Sequence, residues 1–229
     1  MTAAPIDVLQ PGAAIPRHRH DTPYAAIVLS GGYEEAGDGG RYRAEPGDVL
    51  IHAAFSAHLD RAPLRRTTVL NLPLPMLWAR GSSRMRIDDV DRLTRLAERD
   101  LRDGQALLLE ALRPGPGGLQ DEVDVLASGL SEASPPPLSA WSRGWDVVRQ
   151  TAWRRFTAAY GVGPARYRVE ARARRAWSRL VVGGEGLSDI AAAEGFADQA
   201  HMTRDVRALT GRTPGQWRAL HHSFKTGEG

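Results

Sequence analysis

Hydrophobic periodicity changes once along this chain, and the change dictates an α+β organisation. From Val8 to about Leu72 the apolar residues come in short runs, AAIVLS, GDVLIHA and RTTVLNL, separated by turn sequences such as SGGYEEAGDGG and AEPGD. Many short strands joined by glycine and proline turns predict a sandwich or barrel. PLPMLWARGSS ends that region. From Asp88 the spacing is helical: Val90, Leu93, Leu96, Ala97 and Leu101 fall on one stripe, a second helix is expected over Gln105 to Leu112, and a third over Asp121 to Leu130. The stripe has two readings, a seam between two copies of the chain or packing against the barrel. SEASPPP then stops the third helix, because three prolines make a stiff spacer. The expected domains are therefore 1–80, a β region; 84–131, a helical connector that could dimerise; and 135–225, all helical.

Charge sharpens that division. Residues 135–229 hold fifteen basic side chains against eight acids, a surplus of +7, whereas residues 1–134 are slightly acidic. A basic module joined to a mildly acidic one suits a polyanion partner for the basic half. The chain has no cysteine, which excludes disulfides and cysteine metal sites. Its start, MTAAPIDVLQPG, lacks the basic and apolar regions of a signal peptide, and no apolar run reaches the roughly 20 residues of a membrane span. A cytoplasmic protein with no membrane partner is expected.

Within the basic half, LSAWSRGWDVVRQTAWRRFTAAYGVGP and LSDIAAAEGFADQAHMTRDVRALTGRTP share a plan of short helix, turn, longer arginine-bearing helix and closing glycine. In the first long helix Ala152, Phe156 and Ala159 form the apolar stripe and Gln150, Trp153, Arg154 and Thr157 another face; in the second, Met202, Val206 and Leu209 oppose Ala200, Thr203, Arg204 and Arg207. Arg and Gln can each make paired hydrogen bonds to a base edge in the major groove, and small residues let a helix approach closely. Two such helices could read successive grooves of one duplex.

The run LSDIAAAEGFADQAHMTRDVRALTGRTPGQWR, with Ser188, Asp189, Ile190, Ala191, Gly195, Phe196, Asp198, Gln199, Arg204, Gly211, Thr213, Pro214 and Arg218, resembles the C-terminal domain of AraC/XylS-type transcription regulators. The resemblance implies two helix-turn-helix units joined by a linker helix, ARYRVEARARRAWSRLV, and a DNA-binding set of Gln150, Trp153, Arg154, Gln199, His201, Thr203, Arg204 and Thr213. Thr213 before Pro214 reads as a helix N-cap whose free amides suit a phosphate. Val148 stands where the family has a polar cap, Met202 and Val206 replace frequent aromatics, and Asp205 places an acid near the DNA side.

In the β region, Gly12, His18, His20 and Gly31 resemble the first cupin motif and Gly47 and His58 the second, which implies a jelly-roll barrel. Alternate residues of a strand face one way, so His18 and His20 can enter the barrel together and His58 can join them from a neighbouring strand. Three imidazoles could hold a divalent transition metal. Tyr24 occupies the place of the motif's acidic ligand, and Ala53 and Phe55 replace its proline and glycine. His52 reads as a packed core histidine. The resemblance thus implies an effector site of His18, His20, Tyr24 and His58, a candidate metal set of His18, His20 and His58, and no certain cofactor. The expected protein is a transcription regulator and not an enzyme, with double-stranded DNA, a small-molecule effector, RNA polymerase and a second copy of the chain as candidate partners. The alternative is a cupin metalloenzyme, a dioxygenase or isomerase, with an appended DNA-binding domain.

Overall fold

The computed structural model describes residues 6–76, 81–135, 137, 139 and 148–226, the last six of these by backbone alone. Contacts divide the chain into two compact units, residues 1–124 with 159–161, and residues 125–158 with 162–229.

Among the described residues the first unit contains ten strands: β1 (Ile6–Leu9), β2 (Ala14–Arg19), β3 (Tyr24–Ser30), β4 (Tyr33–Gly37), β5 (Gly40–Ala44), β6 (Asp48–His52), β7 (Ala57–Arg61), β8 (Thr67–Pro73), β9 (Ser83–Arg86) and the two-residue β10 (Arg113–Pro114). They form two antiparallel sheets, one in the order β1-β8-β3-β6-β9-β10 and the other β2-β7-β4-β5. Alternation along β3 distributes its side chains. Ala26 and Val28 join Tyr33, Tyr42, Leu50 and Val69, residues drawn from both sheets. Ala25 and Ile27 face the opposite way and meet Leu93, Ala97 and Leu108.

Those last residues belong to α1 (Val90–Arg99) and α2 (Leu101–Ala111), which pack on the six-stranded sheet. The stripe at helical spacing is therefore used inside the unit: Leu93 and Ala97 are fully buried, Val90 and Leu101 lie against the same core, and Leu96 is half-buried. The connector is thus not a separate domain, and the β region runs past residue 80, because β9 pairs with β6 and β10 with β9. The second helix starts at Leu101, four residues before the expected Gln105. Asp100 ends α1 and caps α2, its carboxylate accepting from the Arg102 and Asp103 amides at 2.7 and 3.4 Å. Gly104 faces Ala97 so closely that a β-carbon there would meet the Ala97 backbone at 2.8 Å.

A third helix, α3 (Glu122–Leu130), contains the boundary between the units at residues 124 and 125. That lies ahead of the proline spacer at which a domain boundary was expected, and Pro136 of the spacer is outside the described residues. Further along the chain come α4 (Arg149–Tyr160), of which residues 159 and 160 are counted with the first unit, and, in the second unit, α5 (Pro164–Val182), α6 (Leu187–Ala193), α7 (Gln199–Thr210) and α8 (Pro214–Thr226). Ala152, Phe156 and Ala159 of α4, and Met202, Val206 and Leu209 of α7, are buried as the periodicity predicts. Ala176 and Leu180 of α5 share one core with Ile190, Phe196, Met202 and Val206. The short helix expected before α4 falls on residues outside the described set apart from Ser139. Among the described residues no helix is long and apolar enough to cross a membrane.

Candidate DNA interface and N-terminal cavity

The turn between α6 and α7 is built from local chemistry. Gly195, at φ 73°, takes the left-handed position after α6. The Phe196 amide donates to the Ala191 carbonyl at 2.9 Å and the Gly195 amide to Ala192 at 3.1 Å, the two bonds of a Schellman cap, and Phe196 packs into the core beside Ala191. Asp198 then starts α7, accepting from the His201 amide at 2.6 Å. The resulting helix exposes Gln199, Ala200, Arg204 and Arg207 and keeps Thr203 half-exposed. The Thr203 hydroxyl donates back to the Gln199 carbonyl at 2.9 Å, and Gln199 Oε1 accepts from Ser188 at 3.1 Å. Arg204 is exposed and has no hydrogen-bond or ion-pair partner among the described residues.

His201 and Asp205 are turned to a different task. Arg172 of α5 lies 3.0 Å from His201 Nε2, donates to Asp205 at 2.9 Å and to the Gly195 carbonyl at 3.1 Å, and stacks 4.3 Å over the Phe196 ring. The acid expected to burden the DNA side is thereby neutralised, and the His201 ring is held within the unit instead of standing free toward bases. Sequence reasoning missed Arg172, since an arginine in a basic linker helix reads as a solvated one. Arg175 and Arg179 of the same helix bind the buried Glu194 at 2.7 and 3.1 Å.

On α4, Gln150, Trp153 and Arg154 are all exposed, Trp153 at 40 % with its ring against Gly163. Val148 precedes this helix, its carbonyl accepting from the Thr151 and Ala152 amides at 2.8 and 3.3 Å, but its side chain supplies no cap. Thr213 precedes α8 in a capping box: its amide donates to Gln216 Oε1 at 2.9 Å and its hydroxyl accepts from the Gln216 amide at 3.4 Å. Two of the polar groups expected to serve a phosphate are therefore satisfied locally.

In the N-terminal unit, His18 of β2 and His58 of β7 are direct cross-strand partners, so both side chains leave the sheet on one face. His20 joins them one alternation later. Ring centres lie 4.3 Å apart for His18 and His58, 4.8 Å for His18 and His20, and 5.5 Å for His20 and His58. Tyr24 completes the group, its hydroxyl sharing a 3.3 Å hydrogen bond with His58 Nε2. All four line a cavity of about 290 Å³ with apolar walls that include Leu9, Ile15, Ala26 and Val69. His52 is buried behind it, stacked on Tyr24 at 4.5 Å and 3.5 Å from Glu35. Sequence reasoning named neither Asp60 nor Tyr33, which also line the cavity. Asp60 stands two residues after His58 on one strand, which places it on the same face.

Burial governs the protonation of this group. Desolvation, followed by the fields of the neighbouring histidines, holds His58 far below the usual imidazole range and lowers His52 to about 3. Desolvation raises Asp60 to about 7 and Glu35 well above an ordinary carboxylate. Burial thus favours the neutral, lone-pair-donating form of His20, His52 and His58. The His18 Nδ1–H donates to the Pro16 carbonyl at 3.0 Å, which leaves Nε2 free for a ligand, and His20 Nε2 and His58 Nδ1 are buried without partners. Nitrogen atoms of the three rings lie within 4.8 Å of one another. This donor set fits a divalent transition metal, held by His18, His20 and His58, which would act there as a Lewis acid.

Residues 142–220 match the family model described as a helix-turn-helix domain. This part of the chain is a helix-turn-helix domain. A solved transcriptional regulator with an AraC-type DNA-binding domain, from Chromobacterium violaceum, overlaps this chain at 24% identity, covering 44% of this chain and 91% of that one with a TM-score of 0.40. ToxT from Vibrio cholerae overlaps at 9% identity over 96% of this chain and 99% of its own, TM-score 0.41. Salicylate 1,2-dioxygenase from Pseudoaminobacter salicylatoxidans overlaps at 22% identity over 29% of this chain and 20% of its own, TM-score 0.28. No curated protein matches the chain significantly. Overlaps of this size leave function to the residues themselves.

Proposed function

We propose that the protein is a transcription regulator in which the AraC-type domain reads duplex DNA through α4 and α7 and the N-terminal cavity takes a small-molecule effector. The observation that carries the DNA reading is α7 itself, a rigidly capped helix that presents Gln199, Thr203 and the unpartnered Arg204 on one side while its acid is neutralised from α5. His18, His20, Tyr24 and His58 support the effector reading, because buried polar atoms without partners cost free energy until a ligand, metal or water supplies them. The effector acts by population shift, binding one DNA-binding state of the protein more tightly than another. In this reading it works in the cytoplasm, as a homodimer in contact with RNA polymerase.

Selection of bound duplexes from a random pool by the full-length protein tests the first half. A recovered consensus is expected, and a pool that stays random at every salt concentration rejects the regulator. The second reading, a metal-dependent site, draws on the mutual approach of the three imidazoles. Elemental analysis of untagged protein decides it: near one metal per chain, lost in a His18→Ala, His20→Ala variant, favours the metal, and stabilisation by a small molecule without metal favours the effector.

A further inference from the structure

The chemistry of the cavity narrows what it binds, an inference that rests on the reading of the cavity as an effector site. Among the described residues no lysine or arginine lines it. The three arginines adjacent in sequence to its polar residues do not line it: Arg17 binds Asp38 at 2.9 Å and the Ala57 carbonyl at 3.3 Å, Arg19 is exposed, and Arg61 lies 3.6 Å from Glu34. Alternation along β2 and β7 puts these guanidinium groups on the face opposite His18 and Asp60.

The lining donors Tyr33 and Asn71 are engaged with Glu35 and Asp7, and the Tyr24 hydroxyl with His58, whereas the buried acceptor Asp60 is not so satisfied. The Asp60 side chain is only 9 % exposed, its Oδ1 has no hydrogen-bond partner among the described residues, and its Oδ2 is 3.6 Å from His58 Nε2, beyond a good hydrogen bond. His18, donating through Nδ1 to Pro16, keeps Nε2 as an acceptor. A second carboxylate, Asp7, lies on the exposed side and is held by Asn71 at 2.7 Å. Around these stand the rings of Tyr24, Tyr33 and His20, with His20 edge-on to Tyr24 at 4.7 Å.

An anionic ligand fits this lining poorly. At Asp60 it brings acceptor to acceptor, it finds no arginine among the described lining residues, and it sets a second negative charge beside the Asp60 carboxylate whenever that group is ionised. A neutral molecule satisfies some of these atoms but leaves the carboxylate without a counter-charge. An ammonium group supplies N–H donors and charge together, and aromatic faces attract it further. The volume, near the lower end of small-molecule pockets at about 300 Å³, suits one ring with a short arm.

We propose that the cavity is a site for a small organic amine, bound as its ammonium with Asp60 as counter-ion. Calorimetric titration of full-length, chelator-treated protein with benzylamine, benzyl alcohol and benzoate tests this, because the three share a ring and differ in charge. Benzylamine is expected to bind at least tenfold more tightly than benzyl alcohol, with benzoate weakest, and Ala26→Trp, which fills the cavity, to abolish the binding. Asp60→Asn is expected to remove the preference for amine over alcohol. Benzoate binding as tightly as benzylamine overturns the amine and leaves the effector cavity standing, whereas a wild-type protein that binds none of the three removes both. Amine binding that survives Asp60→Asn or Ala26→Trp also overturns the proposal, and the ranking in the wild type decides alone if either variant fails to fold.

Discussion

Arg204 and Arg172 are the same residue type in the same basic domain, and their surroundings give them opposite work. Arg204 extends from α7 without a partner, whereas Arg172 is engaged by Asp205, His201 and the Phe196 ring. Arg204→Ala is expected to cost about 1–3 kcal/mol of DNA affinity and to relax preference at one or two base pairs, the signature of a lost base contact. A uniform loss over all duplexes, read by competition binding, assigns Arg204 to a phosphate instead. His52 provides a test in the other unit. Its pKa is depressed to about 3 by burial, so it contributes stability that is present above its unfolded value near 6.5 and is lost as pH falls toward 3. Asp60, raised to about 7, has the opposite sign, its contribution being lost as pH rises from about 4 to 7. Thermal melts of His52→Gln are therefore expected to fall less steeply than wild type between pH 6.5 and 3, and parallel curves refute the assignment. The histidine cluster was readable in the sequence because alternation determines which face His18, His20 and His58 share. Asp60 was not, although the same alternation with His58 would have found it, since an acid in a strand ordinarily reads as a solvated residue.

Helix ends show how far local sequence reaches. The N-cap at Asp198 and the left-handed turn at Gly195 follow from residue types alone, and α7 starts where they dictate. The Thr213 cap was equally visible, but its reciprocal bond from Gln216 decides how much of it is left for a phosphate. The stripe of α1 could be read as buried without revealing what buries it, because periodicity identifies a face and not its partner; the six-stranded sheet supplies the answer. α4 is the element whose sequence falls short. Val148, 72 % exposed, occupies the capping position without an acceptor. Val148→Ser is expected to stabilise the protein by about 1 kcal/mol, the usual worth of a capping side chain. An unchanged or lower denaturation midpoint in urea argues that the start of α4 lies elsewhere.

The two units separate along lines that composition announced, basic helices after an acidic β-rich region, but the boundary lies at residues 124 and 125 and not at the prolines. The arginines that make the C-terminal part basic are not all available to DNA, since Arg172, Arg175 and Arg179 are engaged with Asp205 and Glu194. Affinity should therefore fall with salt by a slope of about 0.9 per phosphate neutralised, and Arg175→Ala should leave that slope unchanged while Arg207→Ala reduces it; equal effects would show that ion pairing in the unit does not remove Arg175 from the interface. The return of β10 to the sheet has a consequence in time. Residues 113 and 114 pair with β9 only after α1 and α2 have passed, and Leu119 then donates to the Arg41 carbonyl at 2.7 Å. A chain emerging from the ribosome cannot complete the six-stranded sheet when β8 ends at Pro73; the sheet must wait for some 40 further residues before β10 can join it.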